Sequence, residues 1–110
     1  MNYNYNQKST DEIKQERDAE LNKMEREYRA RQDEAEKEKD ALKDEVSTAQ
    51  AKGEKVSPER MDELKNRNDE LKGQQDKNYD EYRANREEVW SKYQKEIDKK
   101  EMEEEDQMGY

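Results

Sequence analysis

Residues 52–60 read Lys52-Gly53-Glu54-Lys55-Val56-Ser57-Pro58-Glu59-Arg60. This stretch holds a helix stop followed at once by a helix start. Gly53 has no Cβ and suits the left-handed conformation that closes a helix. Ser57 is a capping residue, Pro58 fits the first helical position, and Glu59 faces the positive end of the helix dipole. Two long helices joined so briefly fold back on each other. The expected fold is all-α, an antiparallel two-helix hairpin of coiled-coil type, with two such hairpins able to pair into a four-helix bundle. A continuous bent rod is the alternative. The expected organisation is a flexible N-terminal lead-in (1–9), a first long helix (10–51), a turn (52–57), a second long helix (58–102) and an acidic frayed tail (103–110).

On the N-terminal side of the turn, Ile13 to Ala49 contains neither Gly nor Pro. Thr10 is the expected cap of this helix, with Ser9 a rival at capping-box distance from Glu12. Ile13, Leu21, Met24, Tyr28, Ala35, Leu42, Val46 and Ala49 fall on one face when Arg17, Arg31 and Glu38 fill the gaps. Long charged side chains can cover such a seam with their stems while the charge reaches water.

On the C-terminal side, Met61, Leu64, Leu71, Tyr79, Tyr82, Val89, Trp90, Tyr93 and Ile97 form the matching ladder. Each ladder covers 36 residues in ten steps, about 3.6 residues per step, which predicts nearly straight helices. Folding the ladders about Gly53 places residues opposite each other when their numbers add to about 106 or 107. Leu42 then faces Leu64, Ala35 faces Leu71, Tyr28 faces Tyr79, Met24 faces Tyr82 and Ile13 faces Tyr93. Arg17 comes beside Trp90, where it can stack on the ring. The segment Gly73–Asn78 carries no apolar residue and is the expected weak point of the second helix.

Composition agrees with a thin seam. Half of the 110 residues are charged, 26% are hydrophobic, and there are only three Gly and one Pro. Strong helix formers dominate from Thr10 to Met102. With one Trp and no Phe, a core of ordinary thickness is out of reach, whereas a stripe along each helix needs far less apolar material.

Two internal echoes stand out. Residues 81–88 match residues 27–34 at five of eight positions, around Glu-Tyr-Arg-Ala. Met61-Asp62-Glu63-Leu64-Lys65 recurs one heptad later as Asn68-Asp69-Glu70-Leu71-Lys72. Duplication of a helix would explain both, and so would chance in a composition this biased.

The residues speak against chemistry. The chain has no Cys and no His, hence no thiolate, no thiol nucleophile and no imidazole base. No phosphate-binding loop or calcium loop is present. Catalytic, cofactor-binding and metal sites are therefore expected to be absent, and the chain is expected not to be an enzyme. Acid-before-base pairs four residues apart, such as Glu63–Arg67 and Glu88–Lys92, support helicity at about 0.2–0.5 kcal/mol each.

Two features point to partners. Tyr82, Val89, Trp90 and Tyr93 cluster in the distal part of the second helix. Val89 and Trp90 point about 100° apart, so one faces the first helix while the other broadens the stripe. The acidic run Glu101, Glu103, Glu104, Glu105 and Asp106 holds much of the net charge of −9. The leading expectation is a non-enzymatic scaffold or protein–protein interaction protein, a rod of about 55–60 Å that associates with a protein partner or with itself as a homodimer. The alternative is an acidic adaptor, inhibitor or chaperone-like module that binds a basic protein through its C-terminal tail. Nucleic acid and anionic lipid would be repelled by the net charge. No run is long enough to span a membrane, no small-molecule substrate is implied, and the expected location is the cytoplasm. The irregular ladder argues against a designed repeat helix.

Overall fold

The computed structural model describes residues 8–107. They form two long helices, α1 (Thr10–Ala51) and α2 (Pro58–Gln107), which pack against each other as an antiparallel hairpin. The expected all-α, two-helix hairpin is borne out.

The caps explain the boundaries. At the start of α1, Ser9 Oγ accepts the Glu12 amide at 3.1 Å, and the Ser9 carbonyl accepts the Ile13 amide at 3.0 Å. Ser9 is thus the cap, and Thr10, the expected one, is the first helical residue. The end of α1 is a Schellman closure. The Gly53 amide donates to the Gln50 carbonyl at 3.0 Å, and the Glu54 amide donates to the Ala49 carbonyl at 2.9 Å. Gly53 sits at φ 73°, where a Cβ would be strained. Ser57 Oγ then accepts the Arg60 amide at 3.2 Å and opens α2.

α2 continues to Gln107, five residues beyond the boundary read from the sequence. Glu is a good helix former, and that preference outweighs the adverse charge at the dipole's negative end. The rest of the expected tail, 108–110, and most of the expected lead-in, 1–7, lie outside the described residues. Gly73 is exposed and lies within unbroken α2.

The pairing falls into two compact units. One is Glu27–Glu81, which contains the turn; the other joins Met1–Arg26 to Tyr82–Tyr110. In the Glu27–Glu81 unit, the covered positions are 28, 32, 35, 39, 42, 46 and 49 on α1 and 64, 68, 71, 75 and 78 on α2. Steps alternate between four and three, about 3.5 residues on average, which is the heptad repeat. Arg31 and Glu38 are exposed, and Gln32 and Lys39 take the places assigned to them on the seam. Tyr79 is likewise 48% exposed, with Asn78 on the seam beside it. Polar side chains are tolerated there because their amide and ammonium groups bond across the seam.

The apolar contacts of this unit centre on Leu71, 1% exposed, with Ala35 and Leu64 also buried. Tyr28 and Tyr79 face each other with ring centroids 6.3 Å apart and planes tilted by 58°. In the other unit Ile13, Tyr93 and Ile97 form the core cluster, and Val89 packs against it.

Candidate functional site

The unit that pairs the start of α1 with the distal part of α2 holds Tyr82, Trp90 and Tyr93. Val89 and Trp90 are neighbours on α2 and diverge by the helical rotation. Val89 joins the Ile13–Tyr93–Ile97 core, while Trp90 stays 47% exposed. One face of its indole is covered by Arg17, whose guanidinium carbon lies 4.4 Å from the ring centroid. Arg17 is held in turn by Asp18, Nε donating to Oδ1 at 3.0 Å. A cation held over an indole face is favourable because the ring quadrupole is negative there.

Beside Trp90 runs an open groove of about 470 Å³. Leu21 and Tyr82, both half-buried, line it with Asp18, Glu25 and Arg86. The groove thus combines one aliphatic and two aromatic side chains with charged groups of both signs.

Tyr93 is used differently. It is 8% exposed, and its hydroxyl donates to Glu20 Oε2 at 2.6 Å. The bond to a carboxylate, with burial, pushes the phenol up from 10.0 to about 12. Lys92 bridges the same pair, with its Nζ 3.9 Å from Glu20 Oε2 and 4.9 Å from the Tyr93 ring centroid. Tyr93 therefore belongs to the fold's interior. Of the four distal apolar positions read from the sequence, the geometry brings Tyr82 and Trp90 together at the groove and places Val89 and Tyr93 in the core.

Glu101, Glu103, Glu104, Glu105 and Asp106 are all exposed and helical, on the last two turns of α2. Among the described residues no group of three or more acidic, His or Cys side chains is arranged to hold a metal ion. No described helix is long and apolar enough to cross a membrane.

Several residues escaped the sequence reading. Leu21 and Arg86 stood on the two ladders but not at a groove, and Asp18 carried no signal. Gln32, Lys39, Gln75 and Asn78 form a polar layer in the seam of the Glu27–Glu81 unit. Gln75 stands on the expected second ladder, whereas Gln32, Lys39 and Asn78 each lie one residue from the positions assigned to the seam.

Compared with known protein families, with curated proteins and with solved structures, the chain matches none.

Proposed function

We propose that this chain is a non-enzymatic helical scaffold that works by protein–protein contact, with a second copy of itself as the first partner. The observation that carries this reading is Trp90. The chain has one Trp and no Phe, and it leaves that Trp half-exposed above a groove lined by Leu21 and Tyr82. In a protein so poor in apolar residues, covering this ring against a partner recovers surface the hairpin itself leaves in water. The reading goes with the absence of catalytic work, a protein rather than nucleic-acid partner, and a cytoplasmic location.

Sedimentation at micromolar concentration tests it. The expected result is a species of about twice the 13.4 kDa chain mass. Trp90→Ala should return it to the monomer with its helicity kept. A fully helical wild-type monomer across the concentration range would remove the self-partner.

A second reading rests on the other exposed feature. Five carboxylates stand on the exposed final turns of α2, which suits an acidic adaptor for a basic protein. Deleting residues 101–110 separates the two readings. It should leave self-association intact and abolish binding to a basic protein at low salt.

A further inference from the structure

The seam of the Glu27–Glu81 unit contains a polar layer where apolar packing would be expected. Gln32 and Gln75 bond each other reciprocally. Gln32 Nε2 donates to the Gln75 main-chain carbonyl at 3.2 Å, and Gln75 Nε2 donates to the Gln32 carbonyl at 3.4 Å. The free ends of the two amides are also engaged. Asn78 Nδ2 donates to Gln32 Oε1 at 3.3 Å, and Lys39 Nζ donates to Gln75 Oε1 at 2.9 Å. Gln75 Nε2 reaches Glu36 Oε2 at 3.1 Å, and Gln32 Nε2 reaches the Tyr28 hydroxyl at 3.2 Å.

Such a layer is directional in a way the rest of the seam is not. Leu64, Leu71 and Ala35 bury area, and area changes little if one helix slides by a heptad against the other. Main-chain carbonyls recur at every alignment, but the side-chain bonds that engage the other ends of both amides, Asn78 to Gln32 and Lys39 to Gln75, need this one. A slip of one heptad moves the partners about 10 Å apart and leaves half-buried amides without these bonds. The cross-helix ion pairs also favour this alignment, notably Arg67 Nη2 to Glu38 Oε2 at 2.9 Å. They are exposed, however, and salt screens them.

We propose that the Gln32–Gln75 exchange, with Lys39 and Asn78, is a register key that fixes the alignment of α1 against α2 in this unit at the expense of stability. Polar groups on an otherwise apolar helical seam are the best-attested device of this kind.

The test uses the full chain, whose lack of cysteine makes labelling unambiguous. Glu34→Cys and Lys72→Cys, both exposed, carry a pair of nitroxide labels, and the distance distribution is measured in 0.5 M salt, with 0.5 M being about the level that suppresses the ion pairs. The unaltered seam should give one narrow distance. Gln32→Leu with Gln75→Leu should raise the thermal midpoint and add a second, longer distance, since a slip of one heptad offsets the labels by about 10 Å along the helix axis. A single unchanged distance in that variant would overturn the key.

The turn also restrains the register, so a second variant isolates the layer. Four Gly-Ser residues inserted after Gly53, with both glutamines kept, should preserve the single distance. Broadening there would show that the turn alone sets the alignment, which also overturns the proposal.

Discussion

Tyr93 and Glu20 tie the two helices together near the open end of the hairpin, through a hydroxyl-to-carboxylate bond of 2.6 Å. The bond favours the protonated phenol, which is why its ionisation is pushed up to about 12. In the unfolded chain the same phenol ionises near 10. Between the two values the unfolded state holds fewer protons than the folded one, so stability falls as pH rises. The contribution should be complete below pH 10 and gone above about 12. Tyrosinate absorbance during an alkaline titration should show a late-ionising phenol. Tyr93→Phe should remove that late group and cost about 1 kcal/mol of stability. Absence of a late phenol, or its persistence in Tyr93→Phe, would contradict the bond.

The two described glycines should respond in opposite directions to alanine. Gly53 sits at φ 73°, so Gly53→Ala puts a Cβ into a strained conformation although nothing lies within 4 Å. It should lower stability by about 1–2 kcal/mol. Gly73 lies in continuous helix, and a Cβ there also meets nothing within 4 Å. Gly73→Ala should therefore raise stability by about 1 kcal/mol. Urea unfolding of the two variants checks both signs. Destabilisation by Gly73→Ala would mean that the glycine serves a purpose in α2 beyond being tolerated.

How much of this could be read in advance divides along physical lines. The hairpin was legible because its determinants are local. Gly53, Ser57 and Pro58 act on their own backbone, and the turn they specify forces the helices together. The facing rule followed from the turn, which is why Arg17 and Trp90, and Tyr28 and Tyr79, were paired correctly. The ladder fails at Arg31 and Glu38 because periodicity alone does not choose between adjacent polar residues in a gap, and at Tyr79 because an apolar ring outranks its neighbour Asn78. Gln32 and Lys39 enter it for hydrogen bonds that need a partner 36 or more residues away, and no local pattern contains that partner. Local symmetry also hid which of Ser9 and Thr10 caps α1, since both are good caps one residue apart. At the groove beside Trp90 the facing rule does place Leu21 opposite Arg86, but the open space between them and the part taken by Asp18 depend on side-chain positions that periodicity does not give.

Glu45 and Arg60 form a fork across the turn-proximal end of the hairpin. Arg60 Nε and Nη2 each donate to a Glu45 carboxylate oxygen at 2.7 Å, and Nη1 donates to Glu63 at 2.8 Å. Arg60 holds the Glu45 carboxyl below its ordinary value of 4.5. Whatever this fork contributes is present above pH 4.5 and is lost as pH falls through the depressed value. Glu45→Gln should thus weaken the protein slightly at neutral pH and make no difference once the carboxyl is protonated. Thermal midpoints of the two proteins, measured from pH 7 downward, should converge in acid. Added salt should narrow the gap as well, because the pair is exposed. A gap that persists at pH 2 would assign the effect to packing rather than charge.

The stacking of Arg17 on Trp90 gives the most direct optical test of the groove. The side chain of Arg17 is 15% exposed and covers one indole face, with the charge 4.4 Å from the ring centroid. Removing it should uncover that face to water. Arg17→Ala is expected to cost about 1 kcal/mol, combining the lost cation–π attraction with lost packing of the arginine stem. Since the chain has one Trp, its emission reports on this site alone. The maximum should move to longer wavelength in Arg17→Ala at low concentration, where the proposed dimer is dissociated. Arg17→Lys keeps the charge but not the flat guanidinium, and should fall between the two. If emission is the same in all three proteins, Arg17 does not shield the ring in solution, and the open groove beside Trp90 would have to be redrawn.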